Sequence, residues 1–155
     1  MHTTETPRLL LIERVLLLKS LPLFNDTPET FLAEIAHLMQ EVEIPQGTEI
    51  VKEGEPGNCM YIIHRGDVKI HKGQHVLALL KEEDFFGELS LLDTETRSAS
   101  ATAQTDCVLF HIDQDPFYDL IESRPEVVKG VIKILCKRLR AANEKISELT
   151  KFKES

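Results

Sequence analysis

The sequence predicts a mainly β fold flanked by helices: an antiparallel sandwich or roll, with a long helix at its C-terminal end. Three observations carry this expectation. From Glu41 onward, short stretches rich in Val and Ile are separated by Pro45-Gln46-Gly47, Gly54-Glu55-Pro56-Gly57, Arg65-Gly66-Asp67 and Lys72-Gly73-Gln74, and closely spaced turn residues of this kind join antiparallel strands. Before Glu41 the apolar positions Phe31, Leu32, Ile35, Leu38 and Met39 follow the period of a helix instead. After Pro125, the residues Val128, Ile132, Leu135, Leu139, Ala142, Ile146 and Leu149 recur in alternating steps of four and three, a seam of about three heptads.

The elements follow in order. Thr6-Pro7 reads as a helix start, with proline in the first turn. The helix it opens, over Arg8–Ser20, is apolar on more than one face, with Leu16, Leu17 and Leu18 adjacent. This predicts packing on the domain plus contact with something else. Asp26-Thr27-Pro28-Glu29 begins a second helix that extends to about Gln40. In the β region, alternation at Val68 and Ile70, and again at Val108, Phe110 and Ile112, predicts strands with one face turned inward. Asp115-Pro116 caps a further helix, and Ser123-Arg124-Pro125 starts the last. Gly130 weakens that helix by about 1 kcal/mol relative to alanine and marks a hinge near its start. Lys137, Arg138, Arg140, Lys145 and the nearby glutamates are read as its solvated faces.

At 155 residues the chain fits one domain, divided into a helical segment 1–40, a β segment 41–114 and, over 115–155, an apolar hinge after Asp115 with the terminal lid or dimerisation helices. The net charge of −8 is unevenly placed: residues 129–155 hold eight Lys or Arg against three Glu, giving +5 and leaving −13 for the rest. An acidic body argues against general nucleic-acid affinity, which depends on cations that neutralise phosphates. An anionic ligand must then be held locally. The cysteines Cys59, Cys107 and Cys136 are odd in number and lack metal spacing, which favours a reducing cytoplasm over a disulfide framework. Leu9 to Leu23 is interrupted by Glu13, Arg14 and Lys19 and is followed by no small-residue cleavage site, so it predicts neither a membrane span nor a signal peptide.

The chemistry concentrates between Phe85 and Ala101, where Phe86-Gly87-Glu88-Leu89-Ser90 is followed by an apolar stretch and then Arg97-Ser98-Ala99. Gly87 lets backbone approach an anion without a Cβ, and a short helix starting there aims free N–H groups at it. Glu88 can accept from a sugar hydroxyl. Arg97 offers a planar fork of donors suited to two phosphate oxygens at once, which lysine does not reproduce. Ser98 and the Ala99 amide complete the cradle. No catalytic constellation is readable: Cys59 and Cys107 lie in apolar strand runs as inert buried thiols, and a non-enzymatic protein is expected. Nor is a metal site. His71 and His75 straddle a hairpin turn as exposed residues, and the His-x-His of a cupin enzyme is missing.

These residues resemble the phosphate-binding cassette of the cyclic nucleotide-binding domain family, a Phe-Gly-Glu-Leu, an apolar stretch and then Arg followed by Ala, Ser or Thr. Gly47, Gly54, Met60-Tyr61-Ile62-Ile63 and Gly66-Asp67-Val68 resemble that family's punctuation of a β-roll, so the likeness covers about residues 20 to 140. Thr96 stands where many members carry proline. The resemblance implies an eight-stranded antiparallel β-roll, a double-stranded β-helix or jelly roll. Its site residues would be Phe86, Gly87, Glu88, Leu89, Ser90, Arg97, Ser98 and Ala99, its ligand cyclic AMP ahead of cyclic GMP, with no cofactor. It also implies a terminal helix that covers the ligand as a lid, while the apolar steps that persist to Leu149, past the roll, favour pairing with a second copy over simple packing on the roll, so a homodimer is expected. The N-terminal helix is expected to dock on a larger effector. Transcriptional members carry a helix-turn-helix after the long helix, for which the residues up to Ser155 leave no room, so direct DNA binding is not expected. The alternative is a ligand-free roll acting as a dimerisation or docking module.

Overall fold

A computed structural model describes residues 8–94 and 96–154; the start read at Thr6-Pro7 lies outside them. Two helices, α1 (Arg8–Ser20) and α2 (Glu29–Leu38), lead into β1 (Gln40–Ile44), β2 (Glu49–Val51), β3 (Cys59–Arg65), β4 (Val68–Lys72), β5 (His75–Leu80) and β6 (Phe85–Phe86). A single turn of helix, α3 (Leu89–Leu92), separates these from β7 (Ser100–Ala103) and β8 (Cys107–Asp113), and α4 (Gln114–Ser123) and α5 (Pro125–Glu154) complete the described chain. The eight strands among the described residues form two antiparallel sheets, ordered β1-β8-β3-β6 and β2-β7-β4-β5. This is the β-roll with flanking helices and a long C-terminal helix that the sequence predicts.

Two cores flank the first sheet. Between the sheets lie Ile63, Val68, Phe86, Ala101, Ala103, Cys107 and Leu109. On the other side Met60, Ile62, Phe110 and Ile112 meet Leu18, Ile35, Phe117 and Ile134 from the helices. The expectation that β8 turns one face inward is therefore corrected: Leu109 and Phe110 are adjacent and both buried, because the helices cover the sheet's outer face as the second sheet covers its inner one. Each large side chain so buried contributes about 1.5–3 kcal/mol.

The helix ends also differ from the sequence reading. α2 stops at Leu38, because Met39 is extended and Gln40 already pairs with His111 as the first residue of β1. α4 begins at Gln114 with Asp113 as its N-cap, ahead of Asp115-Pro116. α5 runs unbroken through Gly130. Its buried face is Val127, Val131 and Ile134, whereas the heptad seam lies beside that face, with Ile132, Leu135, Leu139, Ile146 and Leu149 exposed. On α1, Leu18 is buried and Leu10, Ile12 and Leu16 face outward. Among the described residues no helix is long and apolar enough to cross a membrane.

Candidate functional site

The cassette is an insert between β6 and β7 whose two limbs are held by different parts of the roll. At the end of β6 the chain reverses through Gly87, with φ of +77°, a conformation that a side chain would strain. The bonds Ser90 N to Gly87 O and Leu91 N to Glu88 O open α3 and leave the amides of Glu88 and Leu89 ahead of its ladder. The returning limb is fastened to the β2–β3 loop: Thr96 bridges Pro56, Arg97 N donates to Glu55 O at 2.8 Å, and Gly54 N donates to Arg97 O at 2.9 Å. The limbs enclose a cavity of about 380 Å³ between the sheets. Phe86, Gly87, Glu88, Leu89, Ser90, Arg97, Ser98 and Ala99 all line it, joined by Val51, Ile70, Thr96 and Ala101. The eight residues singled out in the sequence thus meet around one hollow that combines an apolar wall with a guanidinium and a carboxylate.

Arg97 is held in a slot between two glycines. A methyl group on Gly57 would sit 2.8 Å from the guanidinium carbon, and one on Gly87 would collide with Nη1. Nη2 donates to Cys59 O at 2.9 Å and lies 3.7 Å from Cys59 Sγ. Cys59 is accordingly more than an inert strand thiol, because its backbone and its sulfur both set the position of Arg97. Beside it, Tyr61 stacks on Phe86 with ring centroids 5.1 Å apart. Burial, reinforced by the neighbouring Cys59, pushes the Tyr61 hydroxyl well above the ordinary tyrosine range.

Glu88 is paired with α5 and not with Arg97: its Oε1 accepts from Arg138 Nη1 at 3.1 Å. This corrects the reading of Arg138 as part of a solvated face. Both side chains of the pair are partly buried. His71 also departs from expectation. It is half-buried, with Nδ1 against Gly73 O and Nε2 against Thr102 Oγ1, both at 2.7 Å, whereas His75 is exposed. Sequence reasoning missed Gly57, Cys59 and Arg138 as parts of the site. Gly57 carried the one available signal, since it falls in the same turn cluster as Gly54.

An antiparallel roll with a helical insert between β6 and β7, and an arginine pinned against that insert, defines a class of β-roll modules built around a cassette. The particular family follows from comparison with known proteins. The chain belongs to the cyclic nucleotide-binding domain family, whose model matches residues 41–124. It is 33% identical over 132 residues to the CRP-like cAMP-activated global transcriptional regulator of Mycobacterium tuberculosis, covering 82% of this chain and 59% of that protein. The chain therefore spans about three-fifths of that relative's length. Among solved structures it is similar to the N-terminal domain of a transcriptional regulator from Streptomyces coelicolor A3(2), with a TM-score of 0.79 and 30% identity over 84% of this chain and 94% of that one. It is also similar to the regulatory domain of Toxoplasma gondii PKA solved with cAMP, with a TM-score of 0.70 and 30% identity over 76% of this chain and 47% of that one.

Proposed function

We propose that this domain is a non-enzymatic sensor that binds a cyclic purine nucleotide, cyclic AMP ahead of cyclic GMP, in the cavity between the cassette and the roll. The observation that carries the reading is the convergence of all eight cassette residues on one cavity with Arg97 fixed at its edge. In this reading Arg97, Ser98, the Ala99 amide and the backbone after Gly87 hold the cyclic phosphate, and Glu88 accepts from the ribose hydroxyl. The names of the relatives, one cAMP-activated and one solved with cAMP, favour adenine.

Ligand binding reaches α5 through Glu88. A ribose hydroxyl that donates to Glu88 competes with Arg138 for the same carboxylate, so the nucleotide favours a different placement of the helix by as much as it binds that placement better. The exposed seam of α5 then pairs with a second copy. Ile132, Leu139 and Ile146 occupy one core heptad position and Val128, Leu135, Ala142 and Leu149 the other, a distribution that suits a two-stranded parallel coil. The roll itself, being acidic, does not bind DNA. The exposed Leu10, Ile12 and Leu16 on α1 suit docking to a larger effector.

The test is calorimetric titration of the wild type and Arg97→Ala with cyclic AMP, cyclic GMP and linear AMP. The cyclic diesters bind best, and the variant loses about 2–5 kcal/mol, a factor of tens to thousands in affinity. Equal, weak binding of all three overturns the reading, and no heat from a folded protein leaves the docking module in its place.

A further inference from the structure

We propose that Gln114 is a positioning residue for a second route to α5, beside the direct Glu88–Arg138 contact, by which movement of the cassette is passed to α4 and on to α5; this rests on the reading that a cyclic nucleotide draws the cassette inward. Gln114 is the first residue of α4, and its backbone is anchored by donation to Asn58 O at 2.9 Å. Its half-buried side chain reaches back to the cassette. Nε2 donates to Ser90 O within α3 at 3.1 Å, and Oε1 accepts from Thr94 Oγ1, beyond the end of α3, at 2.8 Å. One amide therefore clasps the insert at two points. A primary amide is suited to this because it donates to a carbonyl and accepts from a hydroxyl at once, which neither a carboxylate nor an aliphatic chain does.

One turn further along the same face, the Tyr118 hydroxyl donates to Leu92 O. The opposite end of α4 is fixed elsewhere: Arg124, its C-cap, holds Glu34 of α2 at 2.8 Å, and α5 departs from the next residue, Pro125. α4 is thus tied at its start to the element that would close on a ligand and pinned at its end where α5 leaves. A shift of α3 tilts α4 about Arg124, and α5 follows. Neither Gln114 nor Thr94 lines the 380 Å³ cavity, and the bond to the cavity-lining Ser90 falls on its backbone carbonyl, so removing the clasp is expected to act on the coupling more than on affinity.

Cys136 on α5 is exposed while Cys59 and Cys107 are buried, which makes it the natural attachment point for an environment-sensitive fluorophore. The labelled full chain and its Gln114→Glu and Thr94→Val variants are titrated with cyclic AMP, following binding by calorimetry and α5 by emission. Gln114→Glu keeps the side chain's shape and loses the donor to Ser90, and Thr94→Val removes the other partner from an exposed position. The expected result is a cyclic AMP affinity within threefold of wild type in both variants, with the emission change reduced by half or more. Should Gln114→Glu fail to fold by circular dichroism, Thr94→Val decides. A full emission change in the folded variants overturns the proposal, as does an affinity loss well beyond threefold, which would place Gln114 in ligand binding itself. A wild type that binds without any emission change also overturns it, whereas a wild type that gives no heat of binding overturns the nucleotide reading on which it rests.

Discussion

Glu88 Oε1 and Arg138 Nη1 are 3.1 Å apart, which joins the cassette's carboxylate to a guanidinium fifty residues later on α5. Their side chains are 23% and 35% exposed, so the pair contributes about 1 kcal/mol at most. It nevertheless occupies the carboxylate oxygen that, on the proposed function, a ribose hydroxyl would donate to. Arg138→Ala is therefore expected to raise cyclic nucleotide affinity by up to about fivefold, measured by calorimetry at low salt, with the gain shrinking at high salt. A fall in affinity would show that Arg138 serves the ligand directly.

Gly57→Ala tests the slot without straining the turn, because Gly57 does not have the positive φ of Gly87. The added methyl meets the Arg97 guanidinium and the Ser90 hydroxyl. An overpacked site of this kind costs about 1–3 kcal/mol. Cyclic nucleotide affinity is expected to fall by about tenfold while the protein remains folded by thermal melt, and unchanged affinity would show that Arg97 tolerates displacement.

Tyr61 gives the fold a dependence on alkaline pH. Its folded pKa is raised by burial and by Cys59, while in the unfolded chain the phenol ionises near its ordinary value of about 10. Above that value the unfolded state has released a proton that the folded state retains. Tyr61's contribution is therefore whole below about pH 10 and is lost as pH climbs beyond it. The urea midpoint of the wild type is expected to drop above pH 10, and Tyr61→Phe to drop less steeply.

Leu139 is 63% exposed at the middle of the α5 seam. Leu139→Lys is expected to leave the melting of the monomer fold nearly unchanged and to abolish self-association in sedimentation equilibrium, because it puts a charge in the core of a two-stranded coil. A wild type that stays monomeric at high protein concentration would remove the dimer from the proposed function.

Legibility followed sequence distance. The cassette is contiguous, so Phe86 to Ser90 and Arg97 to Ala99 announce themselves by type and spacing, and they do line one cavity. The turn glycines and helix-starting prolines act on their own neighbours, which is why the strand breaks and the starts of α2 and α5 were readable. Arg138 sits among similar cations on α5, and only the folded path of the chain brings it to Glu88. Cys59 acts on Arg97 through its carbonyl, a group that every residue carries and no composition reveals. Likewise Leu109 and Phe110 are buried on opposite faces because helices that precede and follow the strands cover the sheet, and alternation along one strand holds no record of that cover.

The glycine slot around Arg97 bears on the thermodynamics of recognition. A free arginine side chain carries about 2 kcal/mol of rotamer entropy, and here two glycines and the Cys59 carbonyl hold it in one position. Association then avoids an ordering cost of about 0.5–1.5 kcal/mol, equivalent to about two- to tenfold in the dissociation constant. On the proposed function, an incoming diester would meet a lock whose tumbler the fold has already turned.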